Sequence, residues 1–298
     1  MLKFIKKQLL YKEIKLKNFN QFPNIKKKTN RVVLIEFNSF QILHIIFAYL
    51  SNFFKDKKNL TIKTFYSHIL LAYPFKRSLR QIFFSSIGEF FNINFFGIYK
   101  SFGVQEFIYP QETDKSKKLS QKNYNKIIKT IKNKKDILKI KIDTILLGDL
   151  IYDAYLTRNK KQRPTINIYD EDFREFLFQF ISLFFAWKIV FKKNRIEALI
   201  VSHSCYTMGI PVRLALKRKT LALEVKENRL KRLDSSDLHH YSETKIYPSI
   251  FKKFNNKHRK ECLKSADFNL KKRFEGSTLD LPYITNSAFR TNTKNNKN

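Results

Sequence analysis

The chain has little glycine (6), proline (7), cysteine (2) or tryptophan (1) over its 298 residues. So few turn-formers exclude collagen-like, elastic and linker compositions. Cys205 and Cys262 form no CxxC pair, which excludes a disulfide framework and the usual zinc spacings. The glycine-rich phosphate loops GxxxxGK[ST] and GxGxxG are absent, as are HExxH, GxSxG and the kinase signatures. Acidic residues are also scarce: 25 Asp+Glu face 59 Lys+Arg, for a net charge of +34.

Apolar material is abundant. Hydrophobic residues make up 43% and aromatics 15%, with 30 Phe, which excludes disorder of the whole and allows a sizeable core. The basic residues are 45 Lys and only 14 Arg. Nucleic-acid grooves lean on arginine for bidentate and stacked contacts, so this balance argues against nucleic acid. Lys, Ile, Asn and Phe are inflated together, as an A/T-rich coding sequence produces, and that drift is the main reading of the charge. An anionic membrane surface or an anionic sugar nucleotide remains a fitting partner. The 18 residues of Phe37–Phe54 carry no formal charge but include Asn38, Ser39, Gln41, His44, Ser51 and Asn52, too polar for a membrane span. Phe176–Trp187 is more apolar but only 12 residues long. Both read as buried helices. With no signal-peptide core at the N-terminus, the expected location is cytoplasmic, with peripheral contact at the inner face of the inner membrane.

Residues 1–30 read as a basic N-terminal extension, solvated and frayed, or alternatively as a helix resting on anionic lipid. From Arg31 the pattern changes. Val32–Ile35 is a continuous apolar run suited to a parallel strand buried on both faces, and Ser39 suits the cap of a helix running to about Lys55. Leu60–Tyr66 reads as a strand, Ser78–Phe91 as a helix, Phe95–Tyr99 as a strand and Gln111–Lys135 as a surface helix with loops. Ile140–Leu147 is apolar again, and Asp170-Glu171-Asp172 opens a long helix to about Phe191. A strand at Ala198–Val201, a helix at Tyr206–Arg218, a strand at Leu221–Val225 and a basic helical region at Ser249–Phe274 follow. Residues 290–298 read as a disordered tail. Alternating strands and helices predict an α/β fold: a Rossmann-like parallel sheet with helices on both faces, spanning 31–289 as one lobe.

Several stretches carry candidate chemistry. In Gly148-Asp149-Leu150-Ile151-Tyr152-Asp153, followed by Tyr155 and Arg158, a helix would place Asp149 and Asp153 on one face, four residues apart. One carboxylate would serve as general base on a sugar hydroxyl, with Tyr152, Tyr155 and Arg158 binding substrate; the plainer reading is a helix cap and a solvated acid. Ser202-His203-Ser204-Cys205-Tyr206 follows an apolar strand, and ligands of open α/β sheets bind just past such strand ends. His203 is therefore the third catalytic candidate, with Ser202 and Tyr206 binding substrate, against the alternative of a histidine capping the next helix. Glu36 and Asn38 would face the same crevice from another strand end. His44 joins them as a binding candidate, although a histidine on an apolar helix suits a core role. Lys100 and Ser101 suit an anionic group, and Gly103 suits a positive φ. Asp170-Glu171-Asp172 matches a D-x-D metal pattern, but acids in a first helical turn suit the helix dipole without a metal. No metal ligand set and no cofactor are expected.

These blocks together resemble bacterial capsule or surface-polysaccharide biosynthesis proteins of the B-type glycosyltransferase kind. The resemblance rests on Val33–Asn38 with His44, Tyr99–Gly103, Gly148–Asp153 with Tyr155-Leu156, and Val201–His203 with Tyr206. Lys272–Gly276 and Asn286–Phe289 extend it. It implies two Rossmann-like lobes facing a cleft, of which this chain corresponds to the first, acceptor-side lobe. The activity it implies is transfer of a sugar, a hexose or a Kdo-type acid, from a nucleotide-sugar donor to a glycan acceptor, once a second lobe completes the enzyme. The charge supports a rival expectation: a non-catalytic basic protein that binds nucleic acid or an anionic membrane surface.

Overall fold

Short runs rich in β-branched residues form the strands, and longer runs with helical spacing form the covering layers. The computed structural model describes residues 2–22, 29–38, 41–66, 79–158, 165–226, 229–238 and 242–276. The chain divides into two compact units, Met1–His240 and Tyr241–Asn298, with the boundary inside the 31–289 stretch that reads from sequence as one lobe. In the first unit the elements run α1 (Leu2–Gln21), β1 (Arg31–Phe37), α2 (Gln41–Lys58), β2 (Thr61–Tyr66), α3 (Leu79–Phe90), α4 (Asn94–Ser101), β3 (Val104–Ile108), α5 (Asp114–Ile128) and α6 (Lys134–Ile137). They continue through β4 (Lys141–Ile142), β5 (Ile145–Leu146), α7 (Gly148–Arg158), α8 (Glu171–Lys193), β6 (Arg195–Val201), α9 (Gly209–Lys217), β7 (Leu221–Lys226) and β8 (Arg229–Leu233). The second unit holds α10 (Tyr247–Lys253) and α11 (Asn256–Phe274), and neither helix has a buried residue.

Six strands form one sheet in the order β3-β2-β1-β6-β7-β8. All neighbours are parallel except β7 and β8. This is the expected α/β fold, a mostly parallel Rossmann-like sheet with helices on both faces. The alternation of side chains splits the core. Val32 and Leu34 of β1 pack with α7, α8 and α9, while Val33 and Ile35 pack with α1, α2 and α4. All four are fully buried, and burial of such a side chain contributes roughly 2 kcal/mol. The chain lays β1, β2 and β3 outward on one side, then crosses back to lay β6, β7 and β8 outward on the other. The connections therefore diverge between β1 and β6, the place where an open α/β sheet leaves a crevice at its strand ends.

Two local readings change and two elements are new. Phe95–Tyr99, expected as a strand, lies in α4, because Ile98, Tyr99 and Phe102 share one buried helical stripe and Gly97 sits against the Asn92 carbonyl. The strand comes next, after Gly103 turns the chain at φ +103. The apolar stretch Ile140–Leu147 is a small hairpin of β4 and β5, and its turn residues Asp143 and Thr144 both have positive φ, as a type I′ turn requires. β8 escapes a hydrophobic-pattern reading because Arg-Leu-Lys-Arg-Leu is a charged edge strand. The N-terminal segment is not frayed: it is α1, and Tyr11, together with Phe22 just beyond the helix, enters the core. No helix among the described residues is long and apolar enough to cross a membrane. Ser39 and the 290–298 tail lie outside the described residues.

Candidate functional site

The carboxyl ends of β1 and β6 bring together Glu36, Asn38, Ser202 and His203, from segments 166 residues apart. Glu36 Oε2 accepts the Ser202 backbone N–H at 2.6 Å and the Ser202 hydroxyl at 2.7 Å. Its Oε1 accepts Asn38 Nδ2 at 2.9 Å. Asn38 Nδ2 also donates to Ser202 Oγ at 3.3 Å, and His203 Nδ1 lies 2.7 Å from the same oxygen. A serine hydroxyl has one hydrogen and two lone pairs. Its hydrogen goes to the carboxylate, so at His203 the Ser202 oxygen accepts. The proton of neutral His203 therefore sits on Nδ1, and Nε2 is the basic nitrogen. His203 is half-buried, as are Asn38 and Tyr206.

A second layer holds the β1–α2 turn. The buried Tyr99 hydroxyl donates to the Glu36 carbonyl at 2.8 Å and accepts the Asn38 N–H at 2.8 Å. Burial drives this phenol well above its ordinary range, so it stays a donor. The Phe37 ring packs edge-on against Tyr99 at 4.9 Å. His44 Nε2 donates to the Asn38 carbonyl, and its Nδ1 is buried without a hydrogen-bond partner. His44, a binding candidate by sequence, is thus a support beneath the turn.

Burial pulls the His44 imidazole down to about 4, and the Asn38 carbonyl opposes this more weakly. The folded state then binds this proton less readily than the unfolded chain, whose histidines titrate near 6.5. Stability is complete above about 6.5 and is lost as pH falls toward about 4, in total about 3 kcal/mol. Urea midpoints measured across that window should fall for the wild type and fall less for His44→Phe. Parallel curves for the two proteins would remove His44 as the source.

The loop after β6 continues the site. Tyr206 has φ +53, a left-handed conformation that a bulky residue adopts only when its surroundings impose it. A Cβ on Gly209 would lie 2.5 Å from Leu150 Cδ2 and 2.7 Å from the Ser204 carbonyl, so α7 presses on this loop through a position only glycine fills. Asp153, one turn beyond Leu150, is exposed. Its charge helps raise the Cys205 thiol to about 12, after desolvation and Glu224. Such a thiol stays protonated and is a poor nucleophile. Glu224 is fully buried at the end of β7, with Arg229 at 3.6 Å and Lys226 at 3.9 Å.

Other candidates take structural posts. Glu36 is buried and its oxygens serve Asn38 and Ser202, so it orders the crevice rather than meeting a ligand. Asp149 Oδ2 pairs with Arg213 at 2.5 Å, and that guanidinium also donates to the Leu146 carbonyl at 3.0 Å. Asp149 therefore ties α7 to α9. Tyr155 is fully buried, and its hydroxyl reaches Asp172 at 3.2 Å and Asp170 at 3.4 Å. Asp170 also caps α8, which accounts for the D-x-D pattern. Ser101 is buried and accepts from Asn18 of α1 at 2.9 Å, while Lys100 donates to the Glu89 carbonyl. Both sit away from the crevice. Tyr152 packs half-buried against the core, and the Arg158 side chain lies outside the described residues. Sequence reasoning gave no role to Tyr99, Arg213 or Glu224. The last two had a signal, a lone charge inside an apolar helix or strand (Ile-Pro-Val-Arg-Leu-Ala and Leu-Ala-Leu-Glu-Val).

Among the described residues no group of three or more His, Cys, Asp or Glu is placed to hold a metal ion. In comparisons with protein-family models, curated proteins and solved structures, the chain shows no significant match.

Proposed function

We propose that this chain is the acceptor-side lobe of a glycosyltransferase-like protein of surface or capsular polysaccharide assembly. The observation that carries the reading is His203, just past the end of β6 with its Nδ1 2.7 Å from Ser202 Oγ, beside the point where the strand connections diverge. In the proposed reaction His203 Nε2 takes the proton of an acceptor hydroxyl. That oxygen attacks the anomeric carbon of a nucleotide sugar, and the bond from this carbon to the phosphate oxygen breaks with its electron pair leaving on the nucleotide. Asn38 and Tyr206 are the half-buried groups beside the base and would orient the acceptor. Asp153 is the remaining exposed carboxylate near this loop. Asp149 has no place in the step, since Arg213 holds it. The donor nucleotide would be bound by a second lobe, and the cytoplasm is the compartment that supplies nucleotide sugars.

The test is a transfer assay over a panel of nucleotide sugars and glycan acceptors, with the chain alone and with candidate second lobes co-expressed. His203→Ala should lower transfer by about a hundredfold to ten-thousandfold, the range for loss of a general base. Transfer that persists at the wild-type rate in His203→Ala would end this assignment.

A further inference from the structure

The outer side of the α1–α2 layer shows what a solvent-facing helix does not need. Ile45, Tyr49 and Phe53 recur every fourth residue along α2 and are 48%, 55% and 55% exposed. Solvent-facing positions of an amphipathic helix are ordinarily polar, and contiguous exposed apolar patches mark contact surfaces. The stripe does not stand alone. Leu10 and Ile14 of α1, with Phe22, Ile45 and Tyr49, form the apolar half of a groove of about 530 Å³ between the two helices, and Glu13, Lys17 and the amides of Asn18, Asn20 and Gln21 form its polar half. The same two helices carry nine lysines against Glu13 and Asp56; Lys55 is buried on Asn52, while Lys12, Lys17, Lys57 and Lys58 are exposed. Glu13 is already paired with Lys17.

We propose that this face rests on an anionic lipid bilayer, with the stripe entering the headgroup boundary and the groove receiving an acyl chain. The occupant must be apolar at the centre and negative at the rim. A second copy fits the first requirement but carries the same +34 charge, which opposes face-to-face pairing. Nucleic acid fits the second, but it offers no apolar chain to Leu10, Ile14 and Ile45. A bilayer meets both: aliphatic side chains and Phe53 enter, the Tyr49 ring sits with its hydroxyl at the wet boundary, and lysine stems lie along the surface with their ammonium groups among lipid phosphates. The inference does not depend on the proposed sugar transfer.

The test is co-sedimentation of the full chain with phosphatidylcholine vesicles, with and without phosphatidylglycerol. Binding is expected only with the anionic lipid and should weaken with salt. Ile45→Ser, Tyr49→Ser and Phe53→Ser together remove the stripe, at the cost of the Tyr49 and Phe53 ring contacts with Phe22 and Phe54, and should weaken binding at least about tenfold. Tyr49→Trp supplies a second measurement should the triple variant misfold. Trp187 is buried in the core, so brominated acyl chains should quench the introduced indole alone. Equal affinity of the triple variant, or no quenching at position 49, overturns the proposal. So does binding to nucleic acid in place of vesicles, or a dimer that the triple variant abolishes while vesicles stay unbound.

Discussion

Asp149→Ala is expected to lower the unfolding free energy by about 3 kcal/mol, measured by urea denaturation. Arg213 is 4% exposed, and its guanidinium has the Asp149 carboxylate and the Leu146 carbonyl as acceptors. Removing one member of a buried pair leaves the other charge desolvated, at a cost of roughly 3–5 kcal/mol. The low end applies because the Asp149 side chain keeps 21% exposure and water can partly replace it. The geometry is also incomplete: Asp149 Oδ1 and Arg213 Nε are buried without hydrogen bonds. Replacing both residues by apolar ones, Asp149→Leu with Arg213→Met, should therefore recover most of the loss. A single variant within about 0.5 kcal/mol of wild type would show that the pair does not hold α7 to α9.

Glu36→Ala should have two separable effects. The first is on stability, about 3 kcal/mol, because the buried Ser202 N–H loses its acceptor and two further hydrogen bonds to the carboxylate go with it. The second is on His203. Freed from Glu36, the Ser202 hydroxyl can turn its hydrogen toward His203 Nδ1, and the neutral imidazole then moves its proton to Nε2. Long-range nitrogen–proton correlation spectra distinguish the two tautomers. Wild type should report Nδ1–H and Glu36→Ala the Nε2–H form. An unchanged tautomer in a folded Glu36→Ala protein would mean that Ser202 does not transmit the carboxylate's hold. In the proposed reaction the variant loses its base even where it folds, since the lone pair is then on the wrong nitrogen.

How much of this was legible beforehand differs by element. The strands β1, β6 and β7 could be read because strands buried on both faces of a parallel sheet need continuous apolar runs. The long helix α8 could be read from its length and from the acids that open it. α4 was misread because a short apolar aromatic run fits either period, and packing of Tyr99 and Phe102 decided it. β8 was missed because an edge strand is charged for reasons unrelated to its hydrogen bonding. One positional rule, that strand ends feed the crevice, singled out His203, Ser202, Glu36 and Asn38, and the structure brings these four together. Their roles were not found, since a carboxylate that binds a ligand and one that binds Ser202 look alike in one dimension. Lys100 and Ser101 show the opposite failure: adjacent and polar, they suggested an anion site, but α4 turns them toward Glu89 and Asn18.

By itself, the succession of apolar runs and helical stripes determined an α/β sheet covered on both faces, because burial periodicity is a local property of the chain. Only the tertiary structure decided which strands are neighbours, and hence that Glu36 meets Ser202 while Asp149 meets Arg213. Those pairings depend on crossover connections that bring residues far apart in sequence within 3 Å of each other, and no local pattern encodes a distance of that kind.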